Sequence, residues 1–314
     1  MNPSTLLETN IAIRPPNPAL LESLIGGLLT EEEAARLATE SGEAPGPCTG
    51  IAPLDEELGG YLAPGVHTLL AAPGAGKTAL CLQIAARCGC PALYISAEMP
   101  RLELLRRIIA RETGTFLGRL RGGEQSREAL AKLAERAALN APKLALFDAH
   151  EAAVSEQGNA ATCASIAVKA DALRNRFGSK HVLIIVDSVT EWAPLATMNE
   201  AVLSGASEYS LTENAVNGLR SLASALHCPL IAIAHRHRAG QGKDADRLHS
   251  AKGTGRYEYI SESVWDLNRD FKVPTDRDGR VPAEISILKN RHGATGSTIQ
   301  MMFEGRLQKF ITKF

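Results

Sequence analysis

The stretch "LLAAPGAGKTALCLQIAARC" (residues 69–88) joins an apolar run to a glycine turn, a lysine, a threonine and a helix-like tail. Its centre, "AAPGAGKT" (71–78), fits the phosphate-binding pattern G-x-x-x-x-G-K-[ST] except at the first position, where Ala71 stands. The departure matters little, because that residue ends the apolar run. A strand before the turn and a helix after it give the setting in which backbone N–H groups wrap an anion at a helix N-terminus. In this reading Pro73, Gly74, Ala75, Gly76, Lys77, Thr78 and Ala79 cradle a nucleotide. Lys77 reaches its β- and γ-phosphates, and the Thr78 hydroxyl meets the metal. The expected ligands are ATP and Mg²⁺.

Around this loop, strand-like and helix-like stretches alternate. Apolar runs at 66–72, 91–97, 143–149, 181–188 and 228–235 have the length and β-branched content of buried parallel strands. Helical patterns lie near 77–88, 101–112, 124–140, 160–176 and 210–227. The alternation predicts an α/β domain with a mainly parallel central sheet and helices on both faces. After residue 258, "SVWDLNRD", "AEISILKN" and "STIQMMFEG" follow one another closely with turns "DRDGR" and "RHGATG", which predicts an antiparallel C-terminal extension.

Residues 1–45 differ from the rest, with seven Glu against two Arg. Leu20, Leu21, Leu24, Ile25, Leu28 and Leu29 recur at helical spacing, and Thr30 followed by Glu33 reads as a capping box opening a second short helix. The expected organisation is a short acidic helical extension, 1–45, a linker rich in Pro and Gly, and a main domain, 46–314.

Across 314 residues, 34 Lys and Arg balance 35 Asp and Glu, so a polyanion must be held by a local patch. The six cysteines show no paired C-x-x-C spacing, which predicts reduced thiols instead of disulfides or zinc. With no basic, then apolar, leader and no run of about 20 apolar residues, the sequence predicts a cytoplasmic protein without a membrane partner.

Hydrolysis needs further groups on the same sheet edge. "HVLIIVDS" ends in Asp187, placed to meet Mg²⁺ together with Thr78. Glu98 follows the run "LYISA" and is the candidate general base for the attacking water. Asp148, which ends a third run, reads as a helix or turn cap. The segment 236–256 carries six Lys and Arg against two Asp, with four glycines, and reads as a basic loop. Trp192, Tyr257 and Tyr259 near these loops fit core packing as well as base stacking.

From about 49 to 310, the ordered segments "TGIAPLDEELGGYLAPGVHTLLAAPGAGKTAL", "YISAEMP", "LIIVDSV", "SEYSLTENAVNGLRSLASALHCPLIAIAHRHR" and "EISILKNRHGATGSTIQMMFEGRLQKF" resemble the RecA-fold C-terminal motor domain of hexameric replicative DNA helicases of the DnaB type. The resemblance implies a RecA-like P-loop ATPase that hydrolyses ATP at the subunit interfaces of a homo-oligomeric, hexameric ring and moves on single-stranded DNA. It assigns Lys77 and Thr78 to phosphate and metal, Glu98 to the base and Asp187 to the metal. His235 stands where the family's γ-phosphate sensor is usually Gln; an imidazole can donate the same bond and adds pH sensitivity. Lys289 and Arg291 match the K-x-R-x-G segment that reaches a neighbour's γ-phosphate, and as alternate residues of a strand they share a face. Arg236, Arg238, Lys243, Arg247, Lys252 and Arg256 are implied to hold the DNA backbone, together with a loop at 194–209.

The family's large N-terminal domain has no counterpart in residues 1–45, which implies a minimal motor whose 18–38 helices dock on an adjacent subunit, with a replication initiator or loader as a further partner. Two alternatives stay open: a RecA- or KaiC-like ATPase whose nucleotide state controls assembly or a protein partner, and an RNA translocase.

Overall fold

The computed structural model describes residues 19–42, 45–154, 161–196, 207–236 and 256–313. It divides into two compact units, Met1–Pro45 and Gly46–Phe314.

In the first unit one uninterrupted helix, Leu21–Glu40, replaces the two expected. Thr30 does not cap a new helix; its hydroxyl donates to the Gly26 carbonyl at 2.9 Å, the i−4 bond by which a threonine sits inside a helix. Arg36 pairs with Glu33 and Glu40 one turn away on either side, which supports the second half.

The second unit is built on a nine-stranded sheet. Its strands are β1 (Gly65–Ala71), β2 (Ala92–Ser96), β3 (Leu144–Asp148), β4 (Leu183–Asp187), β5 (Pro229–His235), β6 (Ser261–Asn268), β7 (Arg280–Asn290), β8 (Thr298–Glu304) and β9 (Lys309–Thr312). They lie in the order β3-β2-β4-β5-β1-β6-β7-β8-β9. The first six in that order run parallel, and β7, β8 and β9 add on antiparallel. The α/β class and the antiparallel extension are as expected. The short β9 was not foreseen, because four residues beyond a turn carry too little pattern to read.

Alternation along the strands feeds two cores. On one face Leu69, Tyr94, Leu183, Ile185, Ile231 and Ile233 meet Leu80 and Ile84 of the helix Lys77–Arg87 and Leu104 and Ile108 of the helix Arg101–Thr113. On the other face Leu70, Ile95, Ile184, Val186, Leu230 and Ala232 meet Ile166, Trp192 and Leu219 from the helices Cys163–Phe177, Val189–Ala196 and Glu208–Leu226. Strands buried on both faces need the near-continuous apolar runs seen in the sequence. The expected 124–140 helix starts later, at Arg127 with Ser126 as its cap, after a separate turn at Leu117–Arg121. Asp148 is the cap it was read to be, accepting from the backbone N–H groups of His150 and Glu151. Trp192 and Tyr257 are buried, whereas Tyr259 is exposed.

Among the described residues no helix is long and apolar enough to cross a membrane. Leu80 is fully buried beneath the phosphate loop. Leu80→Ala is expected to cost about 2–5 kcal/mol, the range for a large-to-small change in a core; urea denaturation checks it, and a loss under 1 kcal/mol (roughly, an exposed-site value) contradicts this packing.

Candidate active site

The sheet register draws the candidate residues together. Ala71 at the end of β1 is opposite His235 at the end of β5, and Ser96 at the end of β2 is opposite Asp187 at the end of β4. The phosphate loop, Glu98, Asp187 and His235 therefore share the carboxyl edge of adjacent parallel strands, where open α/β sheets collect ligands.

The loop is shaped by two glycines. Gly74 has φ +79° and Gly76 φ +105°, in the left-handed region that favours glycine. A Cβ on Gly76 would also lie 2.9 Å from the Phe310 ring. Gly76 starts the helix Lys77–Arg87 without a side-chain cap, and that helix has no acid in its first turn. Its first N–H groups thus lack the usual side-chain acceptor and can bind an anion.

Lys77 is buried and donates to His235 Nδ1 at 3.0 Å and, at 3.5 Å, to the Ala71 carbonyl. An ammonium can only donate, so Nδ1 accepts and the proton of the neutral imidazole sits on Nε2. His235 Nε2 then donates to Glu98 Oε1 at 2.7 Å. That bond holds the Glu98 carboxyl below the usual range, against the opposing effect of burial. Burial lowers the Lys77 ammonium, partly offset by Glu98 and Asp187.

Asp187 is fully buried, and a cis peptide joins it to Ser188. Its Oδ2 accepts from the Thr78 hydroxyl at 2.8 Å and from the Tyr94 hydroxyl at 2.6 Å. Its Oδ1 is buried with no hydrogen-bond partner among the described residues. An unpaired carboxylate oxygen beside a hydroxyl is a hard-oxygen pair of the kind Mg²⁺ takes when phosphates supply further ligands. The residues present therefore fit that ion. Burial raises the Asp187 carboxyl, against the lowering effect of the Tyr94 bond.

Lys289 and Arg291 are brought together, away from these groups in the single chain. Lys289 Nζ donates to the Glu258 carbonyl at 2.5 Å, and Arg291 to Glu262 Oε1 at 3.1 Å and the Tyr259 carbonyl at 3.0 Å. The turn after them is tight: a Cβ on Gly293 would lie 2.7 Å from the Glu57 carbonyl, to which Asn290 also donates at 2.7 Å.

Of the basic-loop residues, Arg238, Lys243, Arg247 and Lys252 lie outside the described residues, as does most of the 194–209 loop. Arg236 is not on a solvated loop: its guanidinium pairs with the buried Asp266 of β6, and its N–H bonds the Ala71 carbonyl. Arg256 donates to Asn217 and Glu213.

Sequence reasoning missed three residues. Tyr94 reads as one more apolar position of β2. Phe271 is exposed, its ring 3.6 Å from where a Cβ of Gly74 would be, and Arg269 stacks over it at 4.5 Å. Their placement depends on the β6–β7 connection folding back to the loop, for which no local signal exists.

The DnaB-like helicase C-terminal domain family matches residues 46–312. The chain is 28% identical to the replicative DNA helicase DnaB of Leifsonia xyli subsp. xyli over 86% of its length and 57% of that protein's. It is 27% identical to the replicative DNA helicase DnaB of Treponema pallidum over 94% of its length and 62% of the relative's. It thus spans about three-fifths of these relatives. Among solved structures, a DnaB-like replicative helicase described with its interactions with primase superposes with a TM-score of 0.72 at 20% identity, covering 95% of this chain and 68% of that one. At that identity the likeness is one of fold.

A carboxyl raised by burial favours the protonated folded form. Its contribution to stability is present at low pH and lost as pH rises through the folded-state value. Above the ordinary carboxylate range Asp187 therefore costs stability in the metal-free protein. Asp187→Asn is expected to raise the metal-free Tm by a few degrees and to abolish the Tm increase produced by Mg²⁺ with a nucleotide. Thermal denaturation reads both, and a lowered metal-free Tm contradicts the assignment.

Proposed function

We propose, from the premise that the chain belongs to the DnaB-like helicase C-terminal domain family, that it is a Mg²⁺-dependent ATPase which couples hydrolysis to movement on single-stranded DNA. The observation that carries the reading is the convergence of an uncapped, glycine-shaped helix start, a buried carboxylate with one unpaired oxygen and the more accessible Glu98 on one sheet edge.

Mg²⁺ would neutralise charge on the β- and γ-phosphate oxygens. Thr78 and Asp187 are the residues to hold it, with Tyr94 fixing Asp187. The loop N–H groups and Lys77 bind the phosphates, and the exposed Phe271 ring with Arg269 offers a stacking face for the base. Glu98 accepts the proton of the attacking water, and His235 contacts the γ-phosphate in the sensor role. Lys289 and Arg291 complete the site of a neighbouring subunit in a ring, exchanging Glu258 and Glu262 for that subunit's γ-phosphate. The four loop residues Arg238, Lys243, Arg247 and Lys252 line the DNA path, with Arg256 at its edge. Phosphate contacts of this kind make binding salt-dependent and largely independent of sequence.

ATP turnover is expected to rise several-fold with single-stranded DNA and less with RNA, and Glu98→Gln to lower it by about 10²–10⁴-fold. Turnover indifferent to DNA removes the motor reading and leaves an ATPase.

Arg291→Ala is expected to lower turnover by about 10³-fold or more, as loss of an arginine finger does. Because one subunit supplies Lys77 and its neighbour Arg291, mixing Lys77→Ala with Arg291→Ala protein should restore part of the activity. A mixture as inactive as its components refutes the shared site.

A further inference from the structure

Cys88 ends the helix Lys77–Arg87, and Cys90 stands two residues on, just before β2. Their Sγ atoms lie 3.8 Å apart, on either side of the exposed Gly89, whose φ of +79° is the left-handed conformation that ends many helices. Both are free thiols. We propose that Cys88 and Cys90 form a reversible oxidation site, which a peroxide converts from two thiols to one disulfide.

The backbone of this turn is held from outside, so closing the bond falls to the side chains. The Cys88 carbonyl accepts from the Cys48 N–H at 3.2 Å, and the Gly89 carbonyl from Lys143 Nζ at 3.4 Å. The two thiols face only carbonyls: those of Ala85 and Cys90, at 3.5 and 3.3 Å, for Cys88, and that of Pro91, at 3.4 Å, for Cys90. A thiol is a weak donor, so turning away from a carbonyl costs little. Residues two apart have Cα atoms at most about 7 Å from each other, near the outer limit that a disulfide spans, and a turn brings them closer. A covalent bond of about 2.05 Å is thus reached by side-chain rotation. Cys48, the third sulphur in this corner, is turned to the Arg87 carbonyl at 3.6 Å.

Contact between the sulphurs sets the order of steps. The bond from the Cys90 thiol lowers Cys88, against the opposing effect of burial, and the same bond, with burial, raises Cys90. Cys88 is therefore the thiolate that attacks. It bonds to one peroxide oxygen, the O–O bond breaks and hydroxide leaves with the electron pair, giving a sulfenic acid. Cys90 loses its proton to that hydroxide and attacks the Cys88 sulphur. The S–O bond breaks, and the second hydroxide takes up the proton that Cys88 released. Two thiols are oxidised, and one peroxide is reduced to two waters. Exchange with an external dithiol reverses the bond.

Packing alone would leave two buried sulphurs inert, as small apolar groups. Tryptic peptide 88–101 holds both residues and no other cysteine, which makes the difference measurable. The full chain is treated with hydrogen peroxide, in its native state and after unfolding in urea; its remaining thiols are alkylated and the peptide masses read. In the native sample, peptide 88–101 is expected to lose two hydrogens and both alkylation sites, and dithiothreitol to restore them. Cys90→Ser is expected to lose the linkage and to leave Cys88 as a sulfenic acid that a cyclic diketone traps.

Two unaltered thiols in the native protein, a linkage that includes Cys48, a Cys88 driven to sulfinic acid without a linkage, or a linkage formed only after unfolding each overturns the proposal. In folded Cys90→Ser, a Cys88 that stays a thiol overturns the assignment of the attacking sulphur. The wild-type measurement stands by itself if that variant does not fold. Neither step uses the nucleotide site, so the outcome is independent of the ATPase reading.

Discussion

The meeting of the phosphate loop, Glu98, Asp187 and His235 depends on the parallel register of four strands. Pairing Ala71 with His235 and Ser96 with Asp187 brings four chain segments, distant in sequence, to one edge at the same height. A strand slipped by one residue would turn its side chains to the opposite face. Asp187 would then lose both Thr78 and Tyr94, and His235 would lose Lys77. The two apolar cores prevent that slip, since each strand feeds alternate residues to each face. Stability and chemistry are thus set by one alignment.

Polar groups at this edge are held by one another more than by backbone. Thr78 and Tyr94 converge on a single oxygen of Asp187, and His235 separates Lys77 from Glu98. Such groups in a low-dielectric setting are strongly coupled, and removing one leaves the others exposed to the full cost of burial.

Much of this was legible in the sequence. The phosphate loop carries its own pattern, and the five long apolar runs read as parallel strands; four are buried on both faces, whereas the run ending at Asp148 is the edge strand β3 and is only half-buried. Asp148, read from its place at the end of an apolar run as a helix or turn cap, caps the short helix Ala149–Ala153. What escaped notice depends on contacts made at a distance. Tyr94 is indistinguishable from its apolar neighbours until β4 brings Asp187 beside it, and Phe271 means nothing until it folds back to Gly74. Arg236 looked like part of a solvated basic segment because its partner, Asp266, lies 30 residues on in an apolar strand. Thr30 misled for the opposite reason: a local capping pattern was present, but its hydroxyl bonds the Gly26 carbonyl inside one continuous helix.

The Arg236–Asp266 pair also has a mechanical meaning. Arg236 follows His235 directly, and successive Cα atoms are about 3.8 Å apart across a trans peptide. The backbone bond from Arg236 to Ala71 and the ion pair to Asp266 therefore clamp the chain one residue beyond the imidazole. The end of β5 is thereby fixed from two other strands at once, β1 through the backbone and β6 through a buried charge, so the position of the imidazole is set by both.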